Sequence, residues 1–273
     1  MTIKFKKINN KKVKPIKTSN DLDKRPHRGK ELMNEPYPNI FLVAKKKSGK
    51  SNVVNMLVKE RACKDTKVHI FCSTAFIDDT YIDLMEWLDK KGIEYYPTTS
   101  IKDADGFNQV NDILEEDKHW INPPKEDGKE KNPELLDLDE KPEKSRKKPS
   151  KYKELRRIII FDDLGKAMRK PSVEILFKKN RHIRSMVLAS SQSITDLHPD
   201  AIGQVDYTFA FKNHNDEKLL ELYEKLNLGL DFKDFLRLYK TVTGDLNRFD
   251  FLYISRFEEF RKNFDEAIIL NDR

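Results

Sequence analysis

Apolar and polar residues alternate along the chain in blocks of strand length and helix length. Short continuous apolar runs predict buried strands. They are NIFLVA (39–44), KVHIFCS (67–73), IEYYPTT (93–99), RIIIFDD (157–163), MVLASSQ (186–192), YTFAFK (207–212) and FDFLYIS (249–255). Apolar residues at helical spacing predict helices at SNVVNMLVKER (51–61), DDTYIDLMEWLDKKG (78–92), FNQVNDILEEDKHW (107–120), SVEILFKKNRH (172–182) and NDEKLLELYEKL (215–226). Strands separated by helices predict an α/β fold with a mainly parallel sheet, covered by helices on both faces. In the second helix, we expect Ile82, Met85 and Leu88 to face the core.

Two segments depart from this regular pattern. Residues 1–30 hold eleven Lys and Arg against two Asp, a balance of +9, whereas the whole chain carries +7 and the remainder therefore −2. Residues 121–154 contain five prolines and many charges of both signs. We predict a flexible basic arm at 1–35 and one domain at 36–273 with a flexible charged insertion at about 121–154. The arm is typical both of tails that meet phosphate backbones or another acidic partner and of solubilising or nuclear-targeting tails.

Several classes of protein are disfavoured by the sequence. It has no apolar run of about 18 residues and no secretory signal at its N-terminus, so we expect a soluble intracellular protein without a membrane-spanning segment. Its two cysteines, Cys63 and Cys72, are interpreted as packing thiols in a reducing compartment. The histidines lack the spacing of a metal site.

The stretch AKKKSGKS joins the first predicted strand to the first helix. A strand–loop–helix turn directs backbone N–H groups and the positive end of a helix dipole at one point, which favours phosphate. Gly49 allows close approach of the backbone, Lys50 would reach the β- and γ-phosphates, and Ser51 would hold Mg²⁺. Ala44 replaces the usual first glycine, and the alternative is a basic surface loop. The residues predicted to surround the phosphates are Ala44, Lys45, Lys46, Lys47, Ser48, Gly49, Lys50, Ser51 and Asn52.

A buried strand that ends in two carboxylates supplies the second candidate element. RIIIF is followed by Asp162 and Asp163, and such a strand end is costly without a cation. We predict that Asp162 accepts the water shell of Mg²⁺ and that Asp163 orients and deprotonates an attacking water. The alternative is a strand that ends in an ordinary turn. Both elements together, each on its own strand, favour a nucleotide site.

Two further residues complete the candidate constellation. Gln192 ends a predicted strand and is expected to sense the γ-phosphate or its water; alone it would be interpreted as facing solvent. The segment NRHIR (180–184), before that strand, offers Arg181 and Arg184 as candidates for stabilising transition-state charge at a neighbouring subunit's site. The alternative for these arginines is a cap on the C-terminus of the preceding helix.

With these elements in place, the sequence resembles the genome-packaging ATPases of large DNA viruses, virophages and related mobile elements, in the FtsK–HerA branch of P-loop ATPases. The poxvirus-type packaging ATPase is a familiar relative. The resemblance covers roughly residues 36–256. Its motifs are AKKKSGKS (44–51) as Walker A, IIIFDDL (158–164) as Walker B, NRH (180–182) and ASSQS (189–193).

The resemblance implies a RecA-like fold of the ASCE class, in which the Walker B strand lies between the phosphate-loop strand and its neighbours. It also implies ATP and Mg²⁺ as ligands, a homo-oligomeric ring with double-stranded DNA at its centre, and a capsid or vertex protein as partner. In such a ring Arg181 would act in trans and Gln192 as a sensor. The implied location is the host cytoplasm or the virion. Local basic segments at 178–184 and 169–171, or the basic arm, are the candidates for tracking DNA.

The sequence therefore predicts an ATP-driven DNA translocase that packages a viral genome. Another FtsK–HerA-like ring ATPase, such as a conjugation-type DNA pump or a helicase, has the same motif order. A nucleotide kinase is less favoured, because it would need an arginine-rich lid and an acceptor site. A protein that binds nucleotide without hydrolysing it, and tethers DNA or capsid, is the non-enzymatic alternative.

Overall fold

Six parallel strands form one continuous part of a sheet that three antiparallel strands extend. The computed structural model describes residues 23–103, 105–121, 150–212, 214–244, 249–257 and 259–270. Within these residues the sheet has the order β3-β2-β4-β5-β1-β6-β7-β8-β9. Its strands are β1 Asn39–Val43, β2 Lys67–Cys72, β3 Tyr95–Thr98, β4 Arg157–Asp162, β5 Ser185–Ser191, β6 Tyr207–Phe211, β7 Phe251–Ser255, β8 Phe260–Lys262 and β9 Glu266–Ile268. Strands β1 to β6 pair in parallel, and β7 to β9 are antiparallel to their neighbours.

Helices cover both faces of this sheet, which confirms the predicted fold class. The helices are α1 Lys50–Arg61, α2 Asp79–Lys91, α3 Gln109–Ile121, α4 Pro171–Lys179, α5 Pro199–Ile202, α6 Asp216–Leu226 and α7 Phe232–Thr243, and 3₁₀ turns lie at Gly165–Arg169 and Ile194–Asp196. Side chains of β1 alternate between two buried apolar clusters. Phe41 belongs to the cluster that α3, α4, α6 and α7 cover, and Ile40 to the cluster under α1 and α2. This alternation is the period-2 pattern of a strand that is buried on both faces.

Strand β5 lies between β1, which leads into the predicted phosphate loop, and β4, which carries the predicted Walker B motif. The implied placement of β4 directly beside the loop strand is therefore wrong. Asp162, the last residue of β4, nevertheless lies at the same edge of the sheet as the loop, because the carboxyl ends of parallel strands share one edge.

The predicted core face of α2 is correct at Leu88 but wrong at Ile82. Its buried side chains are Tyr81, Leu84 and Leu88, whereas Ile82 is exposed and Met85 is half-buried. Both sets have helical spacing, and the apolar body of Tyr81 decides between them. The phenol ring packs in the core while its hydroxyl reaches a buried carboxylate.

Helix α7 and the hairpin of β8 and β9 have no counterpart in the prediction. Phe235, Leu238 and Val242 of α7 are buried at helical spacing, and Asp231 caps the helix by accepting from the Asp234 N–H at 2.8 Å. Helix α7 could therefore have been predicted from the spacing of its apolar residues and from its capping aspartate.

The described domain begins before the predicted boundary at residue 36. Met33 is fully buried, and Arg61 donates to the carbonyl of Glu35 at 3.2 Å. Arg28 also donates to the carbonyl of Ala62 at 2.5 Å. Residues 23–35 thus pack against the domain rather than belonging to an arm. The remainder of the predicted arm and residues 122–149 of the predicted insertion lie outside the described residues.

Candidate active site

The loop between β1 and α1 has the conformation of a tight turn into a helix. The Ala44 N–H continues the β1–β5 ladder by donating to the Ser191 carbonyl at 2.9 Å, and its side chain is fully buried. Lys47 and Gly49 have φ values of 63° and 88°, both in the left-handed region. Ser48 closes the loop by donating to the Lys45 carbonyl at 2.7 Å. The N-terminus of α1 therefore faces the carboxyl edge of the sheet, where an anion is stabilised.

Lys50 joins the loop to the acidic end of β4. Its Nζ lies 3.0 Å from Asp162 Oδ1 and 2.5 Å from Asp163 Oδ1. Burial alone would lower the pKa of Lys50, but the negative charges of Asp162 and Asp163 outweigh it and raise this pKa above its ordinary value. The lysine is therefore a fixed cation at neutral pH. The two sequence motifs lie side by side, as predicted.

Asp162 is surrounded by donors as well as by this cation. Its Oδ2 accepts from the Tyr81 hydroxyl at 2.8 Å and lies 3.4 Å from the Ser51 hydroxyl. Its Oδ1 accepts from the Ser190 hydroxyl at 2.6 Å. Burial and the negative charge of Asp162 raise the pKa of Tyr81 well above its ordinary value, so this phenol is a permanent donor. These contacts fix the carboxylate in one orientation.

Asp163 occupies a different environment one residue later. Its backbone has a φ of 52°, a left-handed conformation that aspartate tolerates better than most residues, and its N–H donates to the Ser190 carbonyl at 3.2 Å. Its side chain is one-third exposed, compared with 4% for Asp162. The adjacent carboxylates therefore differ, because Asp162 is buried and Asp163 reaches solvent in the cleft.

A cleft of about 890 Å³ lies over these groups, within the size range of a small-molecule site. Its lining contains Gln192 and six of the nine predicted loop residues: Lys46, Lys47, Gly49, Lys50, Ser51 and Asn52. Ala44, Lys45 and Ser48 are not among the lining residues; Ala44 is part of the strand ladder, and Ser48 donates to the Lys45 carbonyl.

The donor set beside Lys50 fits a magnesium ion. Ser51 and Asp162 present hard oxygen atoms close to each other, the ligand type that Mg²⁺ takes in nucleotide sites. Asp162 is a buried carboxylate whose charge Lys50 balances, which shows that a cation is stabilised beside it.

Arg181 lies at the opposite edge of the sheet. Its Nη2 lies 2.7 Å from Asp206 Oδ1, and Asp206 also binds the Asn39 N–H at the start of β1. Roughly 17 Å of strand separates Asn39 from the loop at the other end of β1. Arg181 therefore has no access to the cleft of its own chain.

The structure adds cleft residues that the sequence did not single out. They are Ser73, Thr74, Asp78, Thr80, Gly165, Asp196, Lys218 and Phe249, while Ser191 and Ser193 belong to the ASSQS motif named above. Tyr81 and Ser190 were also missed as partners of Asp162. For Ser190, the signal was its place one residue before the end of an apolar strand that neighbours β4. Tyr81 carried no signal, because a tyrosine at a helical core position is ordinary.

Comparison with known proteins gives a match in structure but not in sequence. No protein-family model and no curated relative matches the chain. The genome packaging NTPase B204 of Sulfolobus turreted icosahedral virus 2, in complex with AMP, superposes with a TM-score of 0.52 at 15% identity, over 86% of this chain and 100% of B204. Its complex with ATP-γS gives a TM-score of 0.51 at 15% identity with the same coverage. The DNA-packaging ATPase B204 of Sulfolobus turreted icosahedral virus gives a TM-score of 0.52 at 15% identity, over 83% of this chain and 97% of that chain.

The chain has a P-loop NTPase fold. This confirms the predicted resemblance at the level of architecture. In a P-loop NTPase fold, the loop before α1 and the end of β4 are the elements that face the cleft, and here they carry Lys50 and Asp162.

The predicted basic segment at 178–184 is largely neutralised within the chain. Lys178 pairs with Glu174 and Asp200 at 2.5 and 3.0 Å, and Arg184 pairs with Glu154 at 2.7 Å. Among the described residues, no helix has the length and apolar character needed to cross a bilayer.

Proposed function

We propose that this chain is an ATP-hydrolysing motor that translocates double-stranded DNA during packaging of a viral genome. The observation that carries the proposal is the position of Lys50 between Asp162 and Asp163, next to Ser51, in a cleft of P-loop NTPase architecture. The fold shared with B204, a packaging NTPase crystallised with AMP and with ATP-γS, supports nucleotide as the ligand.

Five side chains of the cleft would have distinct tasks in this reaction. Lys50 would bind the transferred phosphoryl group, since it is held cationic by the two carboxylates. Ser51 and Asp162 would hold Mg²⁺, which supplies charge neutralisation to the phosphates when bound. Asp163, on the exposed side of the strand end, would accept a proton from the attacking water. Gln192 lies in the same lining and would orient that water or the γ-phosphate.

Completion of the site would require a neighbouring subunit. Arg181 is about half exposed and is held by Asp206, which also binds Arg256 at 3.2 Å. A buried carboxylate that holds two arginines fixes their direction at the protein surface. We propose that Arg181 reaches the cleft of an adjacent copy in a homo-oligomeric ring and stabilises transition-state charge there.

The proposed DNA contacts are sequence-independent. The pairing of Lys178 and Arg184 with carboxylates favours the segment at 169–171, or the basic N-terminal residues, as the phosphate-binding surface. Docking to a capsid or vertex protein and action in the host cytoplasm or virion complete the proposal.

The proposal is tested by measuring ATP hydrolysis with and without duplex DNA, together with the mass of the assembly. We expect hydrolysis that duplex DNA stimulates, in an oligomer larger than a dimer. Hydrolysis that duplex DNA does not affect would contradict translocation of double-stranded DNA. Binding of ATP without turnover in any assembly would favour a nucleotide-dependent tether.

The role of Asp163 is tested by Asp163→Asn. Turnover should fall by about 10²–10⁴-fold while ATP binding is retained, since proton acceptance is lost and Asp162 remains to hold Lys50. Asp83→Asn is a matched control, because Asp83 is an exposed carboxylate that pairs with Lys59 outside the cleft. Unchanged turnover in Asp163→Asn would show that another group accepts the proton.

A further inference from the structure

We propose that Phe249 is the stacking surface for the nucleobase of the bound nucleotide. This inference rests on the proposal that the cleft binds a nucleoside triphosphate. It assigns to a specific side chain the part of the ligand that the phosphate loop does not touch.

The position of Phe249 along the sheet edge fits a base. Phe249 precedes β7, whose first residue pairs with the last residue of β6 at the edge where the phosphate loop lies. The carboxylates of β4 lie on one side of β1, and β7 lies on the other. Two inter-strand steps separate β1 from β7, about 10 Å. A nucleotide with its phosphates at the loop would therefore extend its ribose and base towards Phe249.

The chemistry of the cleft also singles out this ring. Among the described residues that line the cleft, Phe249 has the only apolar side chain, and the others are glycine, charged or carrying hydroxyl or amide groups. Polar groups and cations serve the phosphates and the ribose, whereas a base needs a flat apolar surface on its face. Phe249 is 44% exposed, although Phe251, two residues later, is buried against Phe209 and Phe264.

The ring lies directly against the phosphate loop. A β-carbon at position 49 would be only 2.7 Å from Phe249 Cδ1. Gly49 therefore leaves space for this ring, in addition to adopting the left-handed backbone conformation of the loop. Contact between the ring and Gly49 places the proposed base surface next to the groups that hold the phosphates. A single ligand can therefore contact both.

The test compares ATP with inorganic tripolyphosphate, which has the phosphates but no base. Binding of each to the full chain is measured by calorimetry with Mg²⁺ present. Phe249→Ala should weaken ATP binding by about tenfold to a hundredfold, the range of one base–aromatic stack, and leave tripolyphosphate binding unchanged. Phe249→Trp should retain ATP affinity, and its added indole fluorescence should change with ATP but not with tripolyphosphate.

Phe257→Ala is the matched control, because Phe257 is an exposed phenylalanine in the turn after β7. It should bind both ligands as the unaltered chain does. Equal weakening of ATP and tripolyphosphate in Phe249→Ala would show that the ring only supports the loop and would overturn the inference. Unchanged ATP affinity in that variant would also overturn it, with the proposed function intact. Failure of the unaltered chain to bind ATP would instead reject the proposed function.

Discussion

Replacement of Lys50 with methionine should destabilise the ligand-free protein far more than an ordinary ion-pair deletion does. Lys50 and Asp162 are 9% and 4% exposed, and the lysine is the cation that lies between the two carboxylates. Removing one partner of a buried pair leaves an uncompensated charge, which costs about 3–5 kcal/mol. Methionine keeps most of the side-chain volume, so a cavity contributes little. We therefore expect a loss of about 3–5 kcal/mol in the free energy of unfolding.

The same helix provides a matched control for this variant. Lys59 pairs with Asp83 at 2.7 Å, but these side chains are 30% and 64% exposed. An exposed pair of this kind contributes about 0–1 kcal/mol. Lys59→Met should therefore change stability by less than about 1 kcal/mol, although the helix, the substitution and the pair distance are nearly the same.

The assay is urea unfolding of each variant without nucleotide and with a metal chelator. A third variant, Lys50→Met with Asp162→Asn, tests the coupling directly. It should lose less stability than the two single changes added together, by about 1–3 kcal/mol, because the second change removes the charge that the first leaves unpaired. Equal effects of Lys50→Met and Lys59→Met, or additive effects in the double variant, would refute the buried contact between Lys50 and Asp162.

Three further outcomes follow from individual contacts. Tyr81→Phe should lower stability by about 1–2 kcal/mol and raise the Mg²⁺ concentration needed for half-maximal hydrolysis, since Asp162 loses a donor; an unchanged Mg²⁺ requirement would limit Tyr81 to packing. Burial and the charge of Arg157 lower the pKa of His69 to about 4. As the pH falls, His69 is therefore protonated near pH 6.5 in the unfolded chain but only near pH 4 in the folded chain. Stability should therefore fall by up to about 3 kcal/mol between pH 6.5 and 4, and His69→Phe should remove this part of the loss in urea unfolding; an identical pH profile would contradict the shift. Arg181→Ala should abolish hydrolysis, and mixing it with a Lys50→Ala chain should restore part of it across interfaces; no recovery at any mixing ratio would count against action in trans.

The position of Asp162 and Asp163 beside the loop could be predicted, because it depends only on the parallel arrangement of the strands. Apolar strands separated by helices place the carboxyl ends of β1 and β4 at one edge. The order of the strands could not be predicted in this way. In the structure β5 lies between β4 and β1 and pairs with both. Local patterns do not record which strands become neighbours.

The partners of the site were harder to predict, since they come from distant parts of the chain. Tyr81 lies 81 residues before Asp162, and only the packing of α2 on the sheet brings its hydroxyl within 2.8 Å. Phe249 lies 200 residues after Gly49 and belongs to the antiparallel extension of the sheet. In the sequence, each resembles an ordinary core aromatic. What distinguishes them is a hydroxyl at a buried carboxylate and an exposed ring in a polar cleft.

The separation of Arg181 from the cleft of its own chain would make hydrolysis by the proposed motor depend on assembly. One chain carries a cation, two carboxylates and a hydroxyl at the carboxyl edge of its sheet, while Arg181 is fixed at the amino edge by a buried carboxylate. Movement of Arg181 to its own cleft would break the pair with Asp206 and leave that buried charge with fewer partners. Delivery to an adjacent copy needs no such break in the fold, because the arginine is already about half exposed. The cleft and Arg181, at opposite edges of one sheet, are thus suited to the proposed head-to-tail contact, in which each chain would complete the next and hydrolysis would depend on the ring.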